Sequence, residues 1–96
     1  MDIKHIEDKH VFVVYNEQQE QIGEIKYIPA ADNELYAVHT EVQPDYEGQG
    51  IAGQLLNALV EYARELSMKI VPTCPYVIAS FRKYPERYQD VMKKRQ

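Results

Sequence analysis

The chain has 96 residues, of which 45% are apolar and 27% charged, and its formal net charge is −4. This length and composition predict one folded domain over residues 1–96 with a single compact core. The negative charge argues against nucleic acid as the default partner. Basic residues nevertheless gather late in the chain, and we interpret them as a solvated tail. They are Arg82, Lys83, Arg87, Lys93, Lys94 and Arg95.

No apolar run is long enough to cross a membrane, so no membrane partner is expected. The N-terminal residues lack an apolar signal core, so we do not expect export. The chain contains one cysteine, Cys74, which cannot form an internal disulfide. A free thiol suits a reducing compartment, and we therefore expect a cytoplasmic protein.

Short β-branched and alternating runs predict strands in the first half of the chain. They cover residues 11–15, 21–28 and 35–42, with a weaker strand at residues 3–7, and residues 29–33 form a turn that contains Pro29. Each connection is too short for a crossover, which predicts an antiparallel meander. Alternation gives the strand at 35–42 two faces. One carries Tyr36, Val38, Thr40 and Val42, and the other carries Leu35, Ala37, His39 and Glu41.

The apolar period then changes to three and four residues, which predicts a helix over residues 51–66. Its apolar side is Ile51, Ala52, Leu55, Leu56, Leu59, Val60, Ala63 and Leu66. A short strand at 69–73 and a second helix at 76–84 follow, the helix being opened by Pro75 and interrupted by Pro85. The fold class is therefore α/β (α+β), a mostly antiparallel sheet with one β-α-β crossover and a C-terminal helix. We expect Phe81 to pack in the core, and for Tyr76, Tyr84 and Tyr88 we favour core packing over stacking on a nucleotide base.

Two glycines, Gly48 and Gly50, lie between the strand at 35–42 and the long helix. Glycine lets the backbone approach a bulky anion, and the first N–H groups of a helix favour phosphate. Glycine-rich turns also arise for packing reasons, so both interpretations stay open. No Gly-Lys-Ser/Thr follows, which excludes a P-loop, and the antiparallel strands exclude a dinucleotide-binding fold.

The segment Glu47-Gly48-Gln49-Gly50-Ile51-Ala52 resembles the Gln/Arg-x-x-Gly-x-Gly/Ala motif of the GNAT superfamily of acyl-CoA-dependent N-acetyltransferases. Glu47 departs from the usual Gln or Arg and places a negative charge near a diphosphate. The segments His39-Thr40-Glu41-Val42, Gly48-Gln49-Gly50 and Pro72-x-Cys74-Pro75-Tyr76 together resemble a family of short GNAT proteins named for its cysteine and glycine signature. That resemblance covers residues 11–91.

The resemblance implies an acetyl-CoA cleft between the strands at 35–43 and 69–73. The pantetheine would follow the backbone of Glu41, Val42 and Gln43 like an added strand. The pyrophosphate would meet backbone N–H groups of the turn and helix start, which are those of Gly48, Gln49, Gly50, Ile51, Ala52 and Gly53. Cys74 would lie close to the thioester, and the acetyl acceptor would be an amine. No metal site is indicated.

Two mechanisms fit the resemblance. Either an amine attacks the thioester directly and Cys74 or Tyr76 protonates the leaving thiolate, or the thiolate of Cys74 carries the acetyl group. His39 or Glu41 would act as the base for the amine; a hydrogen-bonded strand histidine and a buried structural thiol are the alternatives. A non-catalytic CoA-binding regulatory module and a ligand-free interaction domain remain competing functions.

Overall fold

The structure, a computed structural model, describes residues 1–93 and folds them around one five-stranded sheet. Lys94 and Arg95 of the predicted basic cluster lie outside the described residues. The strands are β1 (Asp2–Ile6), β2 (Val11–Tyr15), β3 (Gln21–Ala30), β4 (Glu34–Val42) and β5 (Lys69–Pro72). The helices are α1 (Ile51–Glu65), α2 (Pro75–Lys83) and α3 (Pro85–Tyr88), with short 3₁₀ turns at Glu7–Lys9 and Pro44–Tyr46.

The strands lie in the order β1-β2-β3-β4-β5. The first four pair antiparallel, and β5 pairs with β4 in parallel after the chain has crossed over through α1. The predicted meander with one β-α-β crossover and a C-terminal helix is therefore confirmed. In the described chain, no helix has the length and apolarity needed to span a membrane.

The core lies between one face of the sheet and the apolar side of α1. Six residues of that side are buried, and they are Ile51, Leu55, Leu56, Leu59, Val60 and Ala63. The spacing of three and four residues places them on one stripe, as predicted. Leu66 lies just past the end of α1 and is 50% exposed, so the predicted helix was one residue too long.

The second helix buries a narrower stripe than expected. Val77 and Phe81 of α2 are buried, as is Tyr88 at the end of α3. Tyr76 and Tyr84 are 37% and 39% exposed, so the prediction that they fill the core is wrong. Tyr76 lies about 100° around the helix from Val77, and Tyr84 follows the last residue of α2, so neither falls on the buried stripe.

Strand β3 runs through the predicted turn at Pro29. Its register with β4 continues as far as Ala30 opposite Glu34, whereas its register with β2 ends at Lys26. Tyr27 donates its N–H to the carbonyl of His10, and the nitrogen of Pro29 points to the same side two residues later. Because β2 does not extend that far, the missing N–H of Pro29 removes no bond of the sheet.

Strand β4 contains a bulge at Val38. Ala37 pairs with Tyr27 of β3, but His39 pairs with the next residue, Lys26, so the register skips Val38. An extra residue on one strand moves every following side chain to the other face.

Because of the bulge, the prediction that Leu35, Ala37, His39 and Glu41 share one face of β4 is wrong. Leu35 and Ala37 are buried under α1, as neighbours on one face should be. His39 and Glu41, which we grouped with them, are instead exposed on the opposite face of the sheet. Thr40 turns towards the helical side and is half-buried.

Candidate functional site

Strands β4 and β5 separate after a short paired segment. Ala37 and Pro72 are the last pair of their parallel register. The carbonyl of Ala37 accepts the N–H groups of Thr73 at 3.0 Å and Cys74 at 2.9 Å, and the chain then turns into α2. β4 continues beyond this point to Val42. We refer to the space between residues 38–42 and the start of α2 as the β4–β5 gap.

The edge of β4 that faces the gap offers free peptide groups. Gln43 donates its N–H to the carbonyl of Ile22, 2.9 Å away on the β3 side. Residues of an antiparallel strand alternate in the side to which their peptide groups point, so those of Val42 point to the gap and those of Glu41 to β3. An extended ligand can pair with such an edge as a strand does.

The glycine turn needs its glycines for their backbone conformation. Gly48 has φ +80° and Gly50 has φ +79°, values that other residues rarely adopt. A Cβ atom built on either glycine would meet no atom of the described chain within 4 Å. The turn therefore does not serve close packing within the chain, and it leaves open space around its backbone.

Helix α1 begins at this turn without a capping side chain. Gly50 is its N-cap and has no side chain to bond the first N–H groups, and the first turn carries no acidic residue. Those N–H groups have no partner within the helix, and the helix dipole places about half a positive charge there. A pocket of about 250 Å³ opens over this end. It is lined by Val42, Tyr46, Glu47, Gly48, Gly50, Ile51, Ala52, Gly53 and Tyr76.

Asn16 supports this pocket from the β2–β3 turn. It is 7% exposed, and its side-chain N–H groups donate to the hydroxyl of Tyr46 at 3.0 Å and to a carboxylate oxygen of Glu20 at 2.9 Å. Its side-chain oxygen accepts the N–H groups of Gln18 and Glu20. Nothing in the sequence indicated this role for Asn16, because its partner Tyr46 is 30 positions away.

Cys74 and Tyr76 occupy the start of α2 on the other side of the gap. Cys74 is the N-cap of α2 and is 4% exposed. Its thiol donates a hydrogen bond to the Thr40 hydroxyl, with 3.3 Å between Sγ and Oγ1. Tyr76 lines the pocket, and its hydroxyl lies 3.7 Å from the position of a Cβ built on Gly53. Cys74 itself is not one of the residues that line the pocket.

A polar cluster occupies the opposite face of the sheet. His39 Nε2 and Glu41 Oε1 lie 3.3 Å apart, and both side chains are at least half exposed. Glu24, the direct partner of Glu41 on β3, brings a third ligand atom, and the three atoms all lie within 4.8 Å of one another. Lys26 Nζ balances part of this charge, at 3.8 Å from Glu24. The geometry could hold a cation, which the sequence did not indicate, because the pairing of Glu24 depends on strand register.

The family model described as GCN5-related N-acetyl-transferase matches residues 11–91. The chain belongs to this family. The solution structure of a GCN5-like N-acetyltransferase candidate from Staphylococcus aureus is 33% identical, with a TM-score of 0.78 over 99% of this chain and 90% of that one. A search of curated protein sequences finds no significant match.

Two larger structures share the fold of this family member. A GNAT family acetyltransferase from Elizabethkingia anophelis with acetyl-CoA bound is 22% identical, with a TM-score of 0.63 over 80% of this chain and 51% of that one. A Mycobacterium tuberculosis protein in complex with CoA is 17% identical, with a TM-score of 0.60 over 66% of this chain and 40% of that one. The chain spans about half the length of these two proteins or less.

Proposed function

We propose that this chain transfers the acetyl group of acetyl-CoA to an amine. The observation that carries the proposal is the uncapped start of α1 at Gly48 and Gly50, which opens directly beside the free edge of β4. The N–H groups from Gly48 to Gly53 would bind the pyrophosphate, with the exposed Glu47 side chain in solvent. Acetyl-CoA-bound and CoA-bound members of the same fold support the choice of ligand.

The pantetheine would then run along β4 at Glu41, Val42 and Gln43. Val42 offers both an N–H and a C=O on that edge, which suits the amides of a pantetheine chain. This path would lead the thioester into the β4–β5 gap towards Cys74. Tyr76 would face the same ligand from the start of α2, because it lines the pocket at the other end of the path.

The acetyl transfer begins with a neutral amine. His39 or Glu41 would accept the ammonium proton, and the amine nitrogen would attack the thioester carbon. The carbon–sulfur bond then breaks, Cys74 gives a proton to the departing thiolate, and the new amide nitrogen loses its extra proton to solvent. Tyr76, the other predicted proton donor, lines the pocket at the pyrophosphate end of the path. In the alternative route the thiolate of Cys74 attacks first, CoA leaves as the thiolate, and the amine displaces the acetyl group from sulfur.

A second candidate function is a non-catalytic module that binds CoA and regulates a partner. The burial of Cys74, which is only 4% exposed, favours this candidate, because a buried thiol is ordinarily a structural one. Such a module would use the glycine turn and the β4 edge but would need neither Cys74 nor a base.

Titration calorimetry with CoA and acetyl-CoA tests the shared part of both candidates. We expect heat of binding with the wild type, and no heat with either compound would overturn both. Release of CoA thiol from acetyl-CoA over a panel of polyamines, amino sugars and lysine peptides then separates them. Release that depends on the amine supports the transferase, whereas binding without release supports the module.

Two sets of variants then assign the chemistry. Cys74→Ser with near-wild-type turnover would remove both proposed roles of the thiol. The pH dependence of turnover in His39→Gln and Glu41→Gln identifies the base. If both variants keep the wild-type profile, neither residue is the base.

A further inference from the structure

The bulge at Val38 brings together two side chains that the regular alternation of β4 gives no reason to pair. Thr40 turns to the helical side of the sheet after the bulge, and Cys74 lies at the start of α2 across the β4–β5 gap. Their side chains meet with 3.3 Å between Sγ and Oγ1. The two residues are 34 positions apart, so this contact exists only in the folded chain.

The backbone fixes Cys74 independently of this contact. The carbonyl of Ala37 accepts the N–H of Cys74 and also the N–H and hydroxyl of Thr73, at 2.9, 3.0 and 3.0 Å. Pro75 follows at once and restricts the conformation of Cys74. The backbone therefore sets the position of the Cβ atom, and the direction of the S–H group is left to its hydrogen-bond partner.

We infer that Thr40 is the positioning residue of Cys74, a role that rests on the proposed acetyl transfer. In the resting thiol, S–H donates to the hydroxyl oxygen of Thr40. When sulfur becomes a thiolate, the hydroxyl rotates and donates its own proton to sulfur, because a threonine hydroxyl can act in both directions.

Both routes of acetyl transfer pass through a thiolate at Cys74. In direct transfer, Cys74 gives its proton to the departing thiolate of CoA and is left negative until it regains a proton. In the covalent route, Cys74 is the thiolate that attacks the carbonyl carbon, and it leaves as a thiolate when the amine takes the acetyl group. A donor held at Sγ stabilises the charged form in each case.

Vibrational spectroscopy tests this inference without any substrate. The chain has one cysteine, so the S–H stretching region holds a single band, and Cys74→Ser provides the blank. We expect Thr40→Val to move the band to higher frequency, since valine keeps the shape but removes the acceptor. Thr40→Ser should restore the wild-type frequency. An unchanged band in Thr40→Val would overturn the inference.

Turnover separates this inference from the proposed function. If amine-dependent acetyl transfer occurs, Thr40→Val should lower kcat about tenfold with little change in KM, the effect of one hydrogen bond to a charged group. Thr40→Ser should keep most of the activity. A shifted S–H band in a protein that does not bind acetyl-CoA would refute the proposed function and the catalytic use of the contact, but not the contact. A wild-type kcat in Thr40→Val, with acetyl transfer intact, would refute the positioning role alone.

Discussion

Gly53 gives the sharpest test of the pocket at the start of α1, because one substitution should move stability and binding in opposite directions. The residue lies in the first turn of the helix, and a built Cβ has as its nearest neighbour the Tyr76 hydroxyl at 3.7 Å, an ordinary contact. Alanine in place of a helical glycine raises the free energy of unfolding by about 0.5–1 kcal/mol. For a domain of this size that corresponds to a rise in Tm of roughly 2–8 °C.

The same methyl group would occupy the pocket. Gly53 lines it beside Ala52 and Tyr76, where the proposed pyrophosphate approaches the helix. We expect Gly53→Ala to bind CoA about tenfold more weakly, the equivalent of one lost hydrogen bond to a charged group. Thermal unfolding of the free protein measures the first effect, and titration calorimetry with CoA measures the second.

Gly23→Ala is the matched control, since it makes the same change in a crowded place. A built Cβ there lies 3.0 Å from the carbonyl oxygen of Glu41 and 3.1 Å from a methyl of Val14. Overpacking of this kind costs about 1–3 kcal/mol, so Tm should fall. A lower Tm in Gly53→Ala, or unchanged CoA affinity in that variant, would refute the reasoning about the pocket.

Three further predictions concern stability. Leu56→Ala empties a fully buried site in α1 and should cost about 2–5 kcal/mol in urea unfolding; a cost below about 1 kcal/mol would contradict its place in the core. Asp90→Asn removes the carboxylate charge and one of the two oxygens that accept hydrogen bonds from Arg64, at 2.7 and 3.1 Å, and should lower the free energy of unfolding by about 1 kcal/mol or less at neutral pH. Hydrogen bonds from Arg64 lower the pKa of Asp90, so the stability difference between Asp90→Asn and wild type should vanish in acid, where Asp90 is protonated. A stability difference that stays constant with pH would contradict this prediction. Burial lowers the pKa of His5, so unfolding binds a proton and wild-type stability should fall as pH drops below about 6.5, a slope that His5→Gln should reduce; an equal slope in both proteins would exclude His5 as its source.

Local patterns predicted the elements of the fold because each depends on neighbouring residues. Apolar residues that recur every three or four positions located α1, and short connections between the strands predicted the antiparallel meander. Pro75 correctly marked the first turn of α2, and Pro85 correctly marked the interruption of that helix, whereas α3 itself was not predicted. Pro29 misled the same reasoning, because its tolerance inside β3 depends on where β2 ends, which is a property of the sheet.

The candidate site likewise contains residues that the sequence identified and contacts that it did not. Gly48 and Gly50 were identifiable from the sequence, because two glycines separated by one residue lie between a predicted strand and a predicted helix. The hydrogen-bond partners of the other site residues could not be predicted from the sequence. The bond from Asn16 to the hydroxyl of Tyr46 is one example. Hydrogen bonds between distant segments leave no periodic signal in a single chain.

The sequence by itself determined the helix that carries the glycine turn, the order of the strands and the family resemblance. Only the tertiary structure decided which side chains of β4 face which side. The bulge at Val38 arises from the register between β3 and β4, and alternation along one strand carries no information about register. That one extra residue turns His39 out of the core face and brings Thr40 to Cys74.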